Sequence, residues 1–318
     1  MRAPLRFQPT EVRAAFGHEF DVLIFGADLH VVSYVVASVL ARICGKKVIH
    51  WGHTLGKGTP QRDWKWSIRR QVMRLADGVL LYGEREREAL ARLGMRMDKV
   101  LVAPNALDTR QARLLRGALT ESMLAHFRGQ KGLVGRRILL YVGRLLPEKR
   151  VTQLVEAMPH LRRRVPDAKL VIIGDGPERD MIAKLIKRLD TTGAVDMVGA
   201  VFDEQELALY FMCAELAVSA GGIGLMVNHA FAYGVPVLTS DNLWIHGPEV
   251  AMIRPGVTGM FFRDQQPSSL AACAATLMND PAKRAQMRQA CIRMIDGRYN
   301  EKAMARAFDD AVRYVLEH

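Results

Sequence analysis

Short apolar runs alternate with charged or amphipathic stretches along most of the chain. In the first half, KVIH (47–50), GVLLY (78–82) and KVLVAP (99–104) predict buried strands, and the segments between them predict helices. The second half continues the alternation with ILLYVG (138–143) and KLVIIGDGPE (169–178). This order of elements predicts an α/β fold built on parallel, doubly wound sheets.

The stretch SAGGIGLMVNHAFAYGVPVLTSDN (219–242) organises the second half. Its glycines Gly221, Gly222 and Gly224 follow a predicted strand and precede a short helix predicted over about 225–233. A bare loop of this kind lets backbone N–H groups approach an anion, and the helix dipole favours negative charge there. Taken alone, the three glycines are equally consistent with a tight turn that binds nothing.

Two further loops carry similar chemistry. Arg144 and Lys149 follow ILLYVG, and Gly174 and Asp175 follow the apolar part of KLVIIGDGPE. Loops at the carboxyl ends of parallel strands converge on one crevice, and a guanidinium fork beside an ammonium group suits a diphosphate. The three loops together predict a phosphate-binding site.

In these motifs the segment 137–263 resembles the nucleotide-sugar half of the retaining glycosyltransferases of family 4, which have the GT-B fold. The matching pieces, in order, are VGRLLPEKR, LVIIGDGPE, VDMVGAVFDEQELALYF, SAGGIGLMVNHAFAYGVPVLTSDN and PGVTGMFF. The resemblance implies two Rossmann-like, doubly wound domains that face each other across a cleft.

The resemblance also assigns roles to residues. Arg144 and Lys149 would hold the donor diphosphate, the backbone of 222–225 would cradle its distal phosphate, and the loop at 200–201 would border the nucleobase. The full set of expected donor-binding residues is Gly143, Arg144, Lys149, Gly174, Asp175, Val201, Gly221, Gly222, Ile223, Gly224, Leu225 and His229.

The chain departs from the family at two positions. The family usually has two glutamates with seven residues between them, and here those positions are Gly221 and His229. A neutral imidazole can still hydrogen-bond a ribose hydroxyl, whereas glycine offers no carboxylate. A packed helix histidine is the alternative interpretation of His229. A subgroup of bacterial polysaccharide-assembly transferases shares this G-x-x-G-L-x-x-x-H pattern, so the departure does not by itself imply an inactive protein.

The first half is expected to form a domain over residues 1–130, and residues 131–318 the second. About four strands precede the connector, whereas the family has six or seven, so we expect a shortened, incomplete first domain. An exposed sheet edge would follow from that shortening. By resemblance, the last helix (near 303–316) would cross back to the first domain.

His53 lies just past the strand KVIH, where a doubly wound domain presents its crevice. By resemblance, a histidine in this loop faces the donor sugar, so His53, Arg144 and Lys149 are the expected catalytic residues. A surface histidine without a role is the alternative.

Composition narrows the possible partners. Residues 1–130 hold 21 Lys+Arg against 12 Asp+Glu, an excess of nine, and residues 131–318 hold 24 against 21, an excess of three. An uneven basic charge suggests an anionic surface as a partner. The segment 63–75 carries Trp64, Trp66, Arg69 and Arg70, a combination typical of helices at anionic membranes. A core-facing helix with a solvated basic face is the alternative, and no nucleic-acid motif appears.

The four cysteines are scattered, no metal-ligand spacing is present, and no apolar stretch reaches 18 residues. The start of the chain lacks the apolar core of a signal peptide. We therefore expect a cytoplasmic protein that can act at the inner face of the cytoplasmic membrane, with no metal and no cofactor.

The expected function is transfer of a sugar from a nucleoside-diphosphate sugar to a saccharide or polyprenyl-linked acceptor in cell-surface polysaccharide or lipopolysaccharide synthesis. By resemblance the transfer would retain configuration without a metal. Two alternatives are a non-catalytic nucleotide-sugar-binding partner of a glycan assembly complex and a nucleotide-sugar epimerase of the same fold.

Overall fold

A computed structural model describes residues 5–28, 30–53 and 64–318. The described chain forms two compact units. Unit 1 contains the residues up to Asn105 together with Glu301–His318, and unit 2 is Ala106–Asn300. No helix in these described ranges is long and apolar enough to cross a lipid bilayer.

Unit 1 is built on a four-stranded parallel sheet with strand order β1-β2-β3-β4. The strands are β1 (Val22–Gly26), β2 (Lys47–Trp51), β3 (Gly78–Leu81) and β4 (Val100–Val102). Its helices are α1 (Pro9–Phe16), α2 (Val32–Ile43), α3 (Trp64–Arg74), α4 (Glu84–Arg92) and the last helix, α13 (Glu301–Glu317). Each apolar run named above therefore forms a strand, and α13, predicted to cross back to the first domain, lies in unit 1.

Helix α2 covers the sheet with one face only. Tyr34, Ala37 and Ala41 are buried in the unit 1 core, whereas Val36 and Val39 keep 40 % of their surface exposed. The apolar sequence of this helix is thus compatible with a half-exposed position, because three small or aromatic residues on one face suffice to pack against the strands.

Helix α3 also turns an apolar face inward, and this corrects the expectation for Trp66. The Trp66 side chain is only 6 % exposed and belongs to the same core cluster as Val72 and Met73. A buried indole cannot lie at a membrane surface, so Trp66 is not a membrane contact. The outer face of α3 carries Ile68, which is 46 % exposed, with Arg69 and Arg70 partly exposed beside it.

Unit 2 contains a six-stranded parallel sheet with strand order β10-β9-β8-β5-β6-β7. The strands are β5 (Arg137–Val142), β6 (Ala168–Ile173), β7 (Val195–Gly199), β8 (Leu216–Ser219), β9 (Val237–Ser240) and β10 (Gly259–Phe262). The helices are α5 (Arg110–Ala118), α6 (Glu121–Gln130), α7 (Val151–Arg162), α8 (Arg179–Arg188), α9 (Glu204–Cys213), α10 (Met226–Ala232), α11 (Pro267–Met278) and α12 (Pro281–Gly297). Two short 3-10 helices, Pro147–Lys149 and Pro248–Met252, complete the unit.

The boundary between the units differs from the predicted one at 130. Helices α5 and α6, expected to belong to the first domain as a connector, pack inside unit 2 instead. Phe127 of α6 is buried there, and its ring meets that of Tyr210 edge-on at 4.8 Å. The apolar faces of these two helices therefore extend the unit 2 core, and the division falls after Asn105.

Candidate functional site

The predicted phosphate loops follow neighbouring strands of unit 2. Strand β5 pairs with β8, with Leu139 beside Leu216 and Leu140 beside Ala217. From β5 the sheet grows through β6 and β7 on one side and through β8, β9 and β10 on the other. The order therefore reverses between β5 and β8, and the crevice at such a reversal is where open α/β sheets bind ligands.

At this point the glycine loop packs directly on the 3-10 helix that contains Lys149. The amide of Gly221 donates to the Lys149 carbonyl at 3.0 Å, and the amide of Gly222 donates to the Glu148 carbonyl at 2.9 Å. The Lys149 Nζ donates in turn to the Gly222 carbonyl at 2.5 Å. The structure thus brings Lys149 and the glycine loop together, but it commits the Gly221 and Gly222 amides to the protein itself. Of the 222–225 backbone that is expected to cradle a phosphate, the Gly222 amide therefore already has a partner within the protein.

The same packing explains why position 221 carries no side chain. A Cβ atom added to Gly221 would lie 2.1 Å from the Glu148 carbonyl oxygen, far inside van der Waals contact. No carboxylate can be attached at this position without moving the backbone of the 3-10 helix. The glycine is a packing requirement in this structure.

The rest of the glycine loop is held by the loop that follows β9. The Ile223 amide donates to Nδ1 of His246 at 3.2 Å, and Gly247 donates its amide to the Ile223 carbonyl at 2.7 Å. The other imidazole nitrogen, Nε2, donates to the Ser240 carbonyl at 2.9 Å. The imidazole of His246 thus links the glycine loop to the end of β9.

Two amides of the loop remain available for a ligand. In the described part of the chain, the N–H groups of Gly224 and Leu225 donate to no other residue. A buried carboxylate, that of Glu249, lies beside Gly224 and Gly247. Because the Gly221 and Gly222 amides already donate within the protein, an anion at this loop would contact the amides of Gly224 and Leu225.

The loop after β6 contacts the loop after β5 through main chain. The amide of Leu145 donates to the Asp175 carbonyl at 2.9 Å, and a Cβ on Gly174 would lie 1.9 Å from the Gly143 carbonyl oxygen. Glycine is required at position 174 for that approach. The Asp175 carboxylate pairs with Arg179 at 3.0 Å and accepts the Gly176 amide at 2.7 Å. Asp175 therefore organises its own loop.

Arg144 lies on the loop after β5, on the solvent-exposed side of these packed loops. Its carbonyl accepts a hydrogen bond from the Tyr141 hydroxyl at 2.9 Å, which fixes the backbone, and its side chain is exposed. Burial raises the pKa of Tyr141, so its hydroxyl stays protonated and acts as a donor. The guanidinium is thus carried by a fixed backbone at the edge of the crevice.

His229 forms part of a cluster that the sequence pattern did not reveal. Its Nε2 lies 2.7 Å from Oε1 of Glu204, the first residue of α9, and the same oxygen accepts the Tyr233 hydroxyl at 2.6 Å. The rings of His229 and Tyr233 both pack against Phe211. A carboxylate therefore stands next to position 229 after all, supplied by another helix.

Val201 lies on the loop that joins β7 to α9, and it packs partly buried against the unit 2 core. Because Glu204 follows three residues later and reaches His229, this loop extends from the sheet edge toward the glycine loop. Val201 is thus on the same side of unit 2 as the other predicted donor residues.

In unit 1, His53 follows β2 and lines a small cavity of about 100 Å³. Its ring packs against that of Tyr82 at 4.7 Å, and its Nδ1 lies 3.8 Å from Glu86. Asp28 and His30, on the loop after β1, line the same cavity and hydrogen-bond to each other at 2.9 Å. Backbone and side-chain hydrogen bonds from His30 hold the pKa of Asp28 below its usual value, although partial burial opposes them. The sequence motifs assign no role to Asp28 and His30. Their position just after the end of a strand is the signal that could have marked them as candidate site residues.

Comparisons with known proteins agree with this architecture. The sequence profile of Glycosyl transferases group 1 matches residues 125–294, a little over half of the chain, and that of Glycosyltransferase Family 4 matches residues 2–111. The alpha-D-kanosaminyltransferase of Streptomyces kanamyceticus is 29 % identical over 226 residues, or 70 % of this chain. The chain spans only 56 % of that relative's length.

Two solved structures have the same fold. A glycosyltransferase from Rickettsia africae superposes with a TM-score of 0.79 at 14 % identity, covering 98 % of this chain and 80 % of its own. HepE of Anabaena, solved in complex with UDP, superposes with a TM-score of 0.77 at 18 % identity, covering 96 % and 81 %. With its two parallel sheets and both profile matches, the chain belongs to the group 1 glycosyl transferases of glycosyltransferase family 4, with the GT-B fold.

Proposed function

We propose that this chain transfers a hexose-type sugar from a nucleoside-diphosphate sugar to a hydroxyl group of a saccharide or polyprenyl-linked acceptor. The observation that carries the proposal is the meeting of Lys149, the loop of Arg144 and the Gly224–Leu225 amides at the reversal of strand order in unit 2. Crystal structures of the similar protein HepE contain UDP and UDP-glucose, which supports a nucleotide sugar as the donor.

The chemistry of these groups matches the demand of the reaction. Negative charge develops on the leaving diphosphate as the glycosidic bond breaks, and fixed donors aimed at that charge lower the barrier. Arg144 can offer a bidentate fork and Lys149 a point charge, while two main-chain amides complete the set. We propose that these cations and amides fulfil the role that a divalent cation has in other transferases, and that configuration is retained.

The remaining donor contacts follow from the same crevice. Glu204 and His229 offer a carboxylate and an imidazole suited to ribose hydroxyls, and Val201 would border the nucleobase. In unit 1, His53 is a further proposed catalytic residue, and Asp28 and His30 line the same small cavity.

We place the reaction in cell-surface polysaccharide or lipopolysaccharide synthesis, at the inner face of the cytoplasmic membrane. A polyprenyl-linked acceptor would be met there, and Arg69 and Arg70 on the outer face of α3 would contact anionic lipid. Trp66 has no part in that contact, because it is buried.

Nucleotide binding tests the donor site. UDP, GDP and dTDP are titrated by calorimetry into the wild-type protein, Arg144→Ala and a control, Arg163→Ala, whose exposed arginine lies at the end of α7. We expect Arg144→Ala to weaken the preferred nucleotide about tenfold to a hundredfold, the value of a lost charge-assisted bond, and Arg163→Ala to bind like the wild type. Unchanged affinity in Arg144→Ala, or no affinity for any nucleotide, would contradict the proposal.

A second candidate is a non-catalytic nucleotide-sugar-binding partner of a glycan assembly complex. It is favoured by Gly221, where the packing leaves no space for a carboxylate near the donor sugar. Transfer of labelled sugar to a polyprenyl-linked acceptor separates the two functions. Tight nucleotide binding without any labelled product would favour the binding partner.

A further inference from the structure

A second basic cavity lies in unit 1, at the amino ends of its strands and therefore at the edge opposite to His53. Its volume is about 560 Å³. Five cationic side chains line it: Arg42, Arg70, Arg74, Arg96 and Lys99. They come from the last turns of α2 and α3, from the segment after α4 and from the residue before β4.

Two of these cations have a structural role. Helices of a parallel α/β unit run against the strands, so their carboxyl ends, with unpaired carbonyl groups, collect at this edge. Arg42 donates to the Leu75 carbonyl at 3.0 Å and to Asp77 at 2.9 Å. Lys99 donates to the Ala76 carbonyl and lies 3.5 Å from that of Arg74. These contacts fasten the turn between α3 and β3.

The contacts of the other three arginines, Arg70, Arg74 and Arg96, contribute less to the fold. Arg70 and Arg74 lie one turn apart on α3, and neither donates to a backbone carbonyl in the described part of the chain. Arg96 pairs with Asp98 at 2.6 Å, but its side chain is 87 % exposed.

Among the described residues, Asp77 and Asp98 contribute side-chain carboxylates to the lining of the cavity. Asp77 is already occupied by Arg42 and by the Val48 amide, which donates to it at 2.8 Å. Among the described side chains of the lining, five cations therefore stand against two carboxylates around one concave site.

A neighbouring cavity of about 370 Å³ shares Arg70 and Gly94 with the first. Trp66 and Leu93 contribute apolar surface to its wall. Arg70 thus lies where a strongly basic cavity meets a less basic one.

We propose that the basic cavity binds a ligand carrying two or more phosphate groups. Its volume lies within the range of small-molecule sites, and guanidinium forks on adjacent turns of α3 match phosphate oxygens. The phosphates can belong to an anionic lipid headgroup or to a soluble polyphosphorylated molecule. The proposal does not depend on the function assigned to unit 2.

The test uses the full chain with Arg144→Ala as background, so that the predicted donor site contributes little phosphate binding. Arg70→Gln/Arg74→Gln is compared with Arg87→Gln/Arg92→Gln, which removes the same charge from exposed positions of α4 in the same unit. Inorganic tripolyphosphate is titrated by calorimetry. Vesicles that contain cardiolipin, a lipid with two phosphate groups, are tested by cosedimentation against phosphatidylcholine vesicles.

We expect the Arg70/Arg74 variant to lose at least about tenfold in affinity and the Arg87/Arg92 variant to stay within about twofold. Tripolyphosphate binding would identify a soluble ligand, and binding to cardiolipin vesicles alone would identify a lipid headgroup. Equal losses in the two variants would show that binding depends only on net charge, and this would overturn the proposal. A lack of binding to both probes would overturn it as well. Thermal melting checks folding, and the single variant Arg70→Gln replaces the double variant if the latter is unstable.

Discussion

Nε2 of His229 lies 2.7 Å from Oε1 of Glu204, and this contact joins α10 to the start of α9. Tyr233 donates its hydroxyl to the same oxygen at 2.6 Å. Burial alone would raise the pKa of Glu204, but the hydrogen bonds from His229 and Tyr233 outweigh it and hold the pKa below its usual value. The carboxylate is therefore ionised at neutral pH and accepts hydrogen bonds from the partly buried His229 and the fully buried Tyr233.

Replacing Glu204 with alanine should destabilise the protein by about 1–3 kcal/mol, because His229 and Tyr233 lose their shared acceptor. Urea unfolding at pH 7 measures the change. Glu206→Ala is the matched control in the same helix. It removes an ion pair with Lys131 in which both side chains are about one-third exposed, and this should cost less than about 1 kcal/mol. Equal losses in the two variants would contradict a special role for Glu204.

The Glu204 contribution should also depend on pH in a definite direction. A carboxyl group with a depressed folded-state pKa stabilises the protein above its unfolded pKa and loses that effect as the pH falls through the folded value. The stability difference between wild type and Glu204→Ala should therefore be largest near neutrality and shrink under acid conditions. Urea midpoints at several pH values below 5 measure this, and a constant difference would refute it.

Gly221→Ala should destabilise unit 2 by at least about 2–3 kcal/mol, because the new methyl group would overlap the Glu148 carbonyl. Gly193→Ala is the control, since a Cβ at Gly193 meets open space. Thermal melting of both variants gives the comparison. If Gly221→Ala melts like Gly193→Ala, the close packing of the glycine loop on the 3-10 helix is wrong.

The two cations of the proposed donor site, Arg144 and Lys149, should behave differently when replaced. Lys149→Ala should weaken nucleotide binding and also destabilise the fold by about 1.5–3 kcal/mol, because Lys149 holds the Gly222 carbonyl. Arg144→Ala should weaken binding while the melting temperature stays unchanged, since its side chain is exposed. Melting and calorimetry on the same preparations separate the effects, and a large loss of stability in Arg144→Ala would be the unexpected outcome.

His50 should make the protein sensitive to acid. It is fully buried in unit 1, and burial, with a smaller contribution from Lys99, lowers its pKa to about 4 while Asp77 opposes the shift. The unfolded chain binds a proton near pH 6.5, so stability should fall by up to about 1.4 kcal/mol per pH unit from there toward pH 4. His50→Gln, which does not titrate, should show a flatter pH dependence of its urea midpoint. Parallel curves for the two proteins would rule out His50 as the cause.

Much of the fold could be predicted from the sequence, because parallel strands buried on both faces appear as short apolar runs. ILLYVG became β5, and the loops after β5, β6 and β8 do meet, since parallel strands present their carboxyl ends at one edge. The inward face of α3 was also encoded: Trp66 and Met73 are two turns apart, so they lie on one side of the helix.

Pairing between distant residues could not be predicted in the same way. Only the folded chain shows that the Gly221 and Gly222 amides are taken by the 3-10 helix, or that Glu204 approaches His229 from 25 positions away. His246 escaped notice for the same reason, because its contact with the Ile223 amide depends on how two loops pack. The boundary after Asn105 likewise follows from helix packing that no local pattern records.

Where Gly174 packs against Gly143, the surface of the crevice consists of main-chain atoms. Peptide groups have the same chemistry whatever the side chain, so single substitutions cannot change what this main-chain surface binds. A side chain added at Gly174 would overlap the Gly143 carbonyl. If the proposed function is correct, preference among donors should depend on side chains at the edge of the crevice, such as those of Val201, Glu204 and His229. A library randomised at those three codons, with the glycines unchanged, would test whether they set the choice of sugar nucleotide.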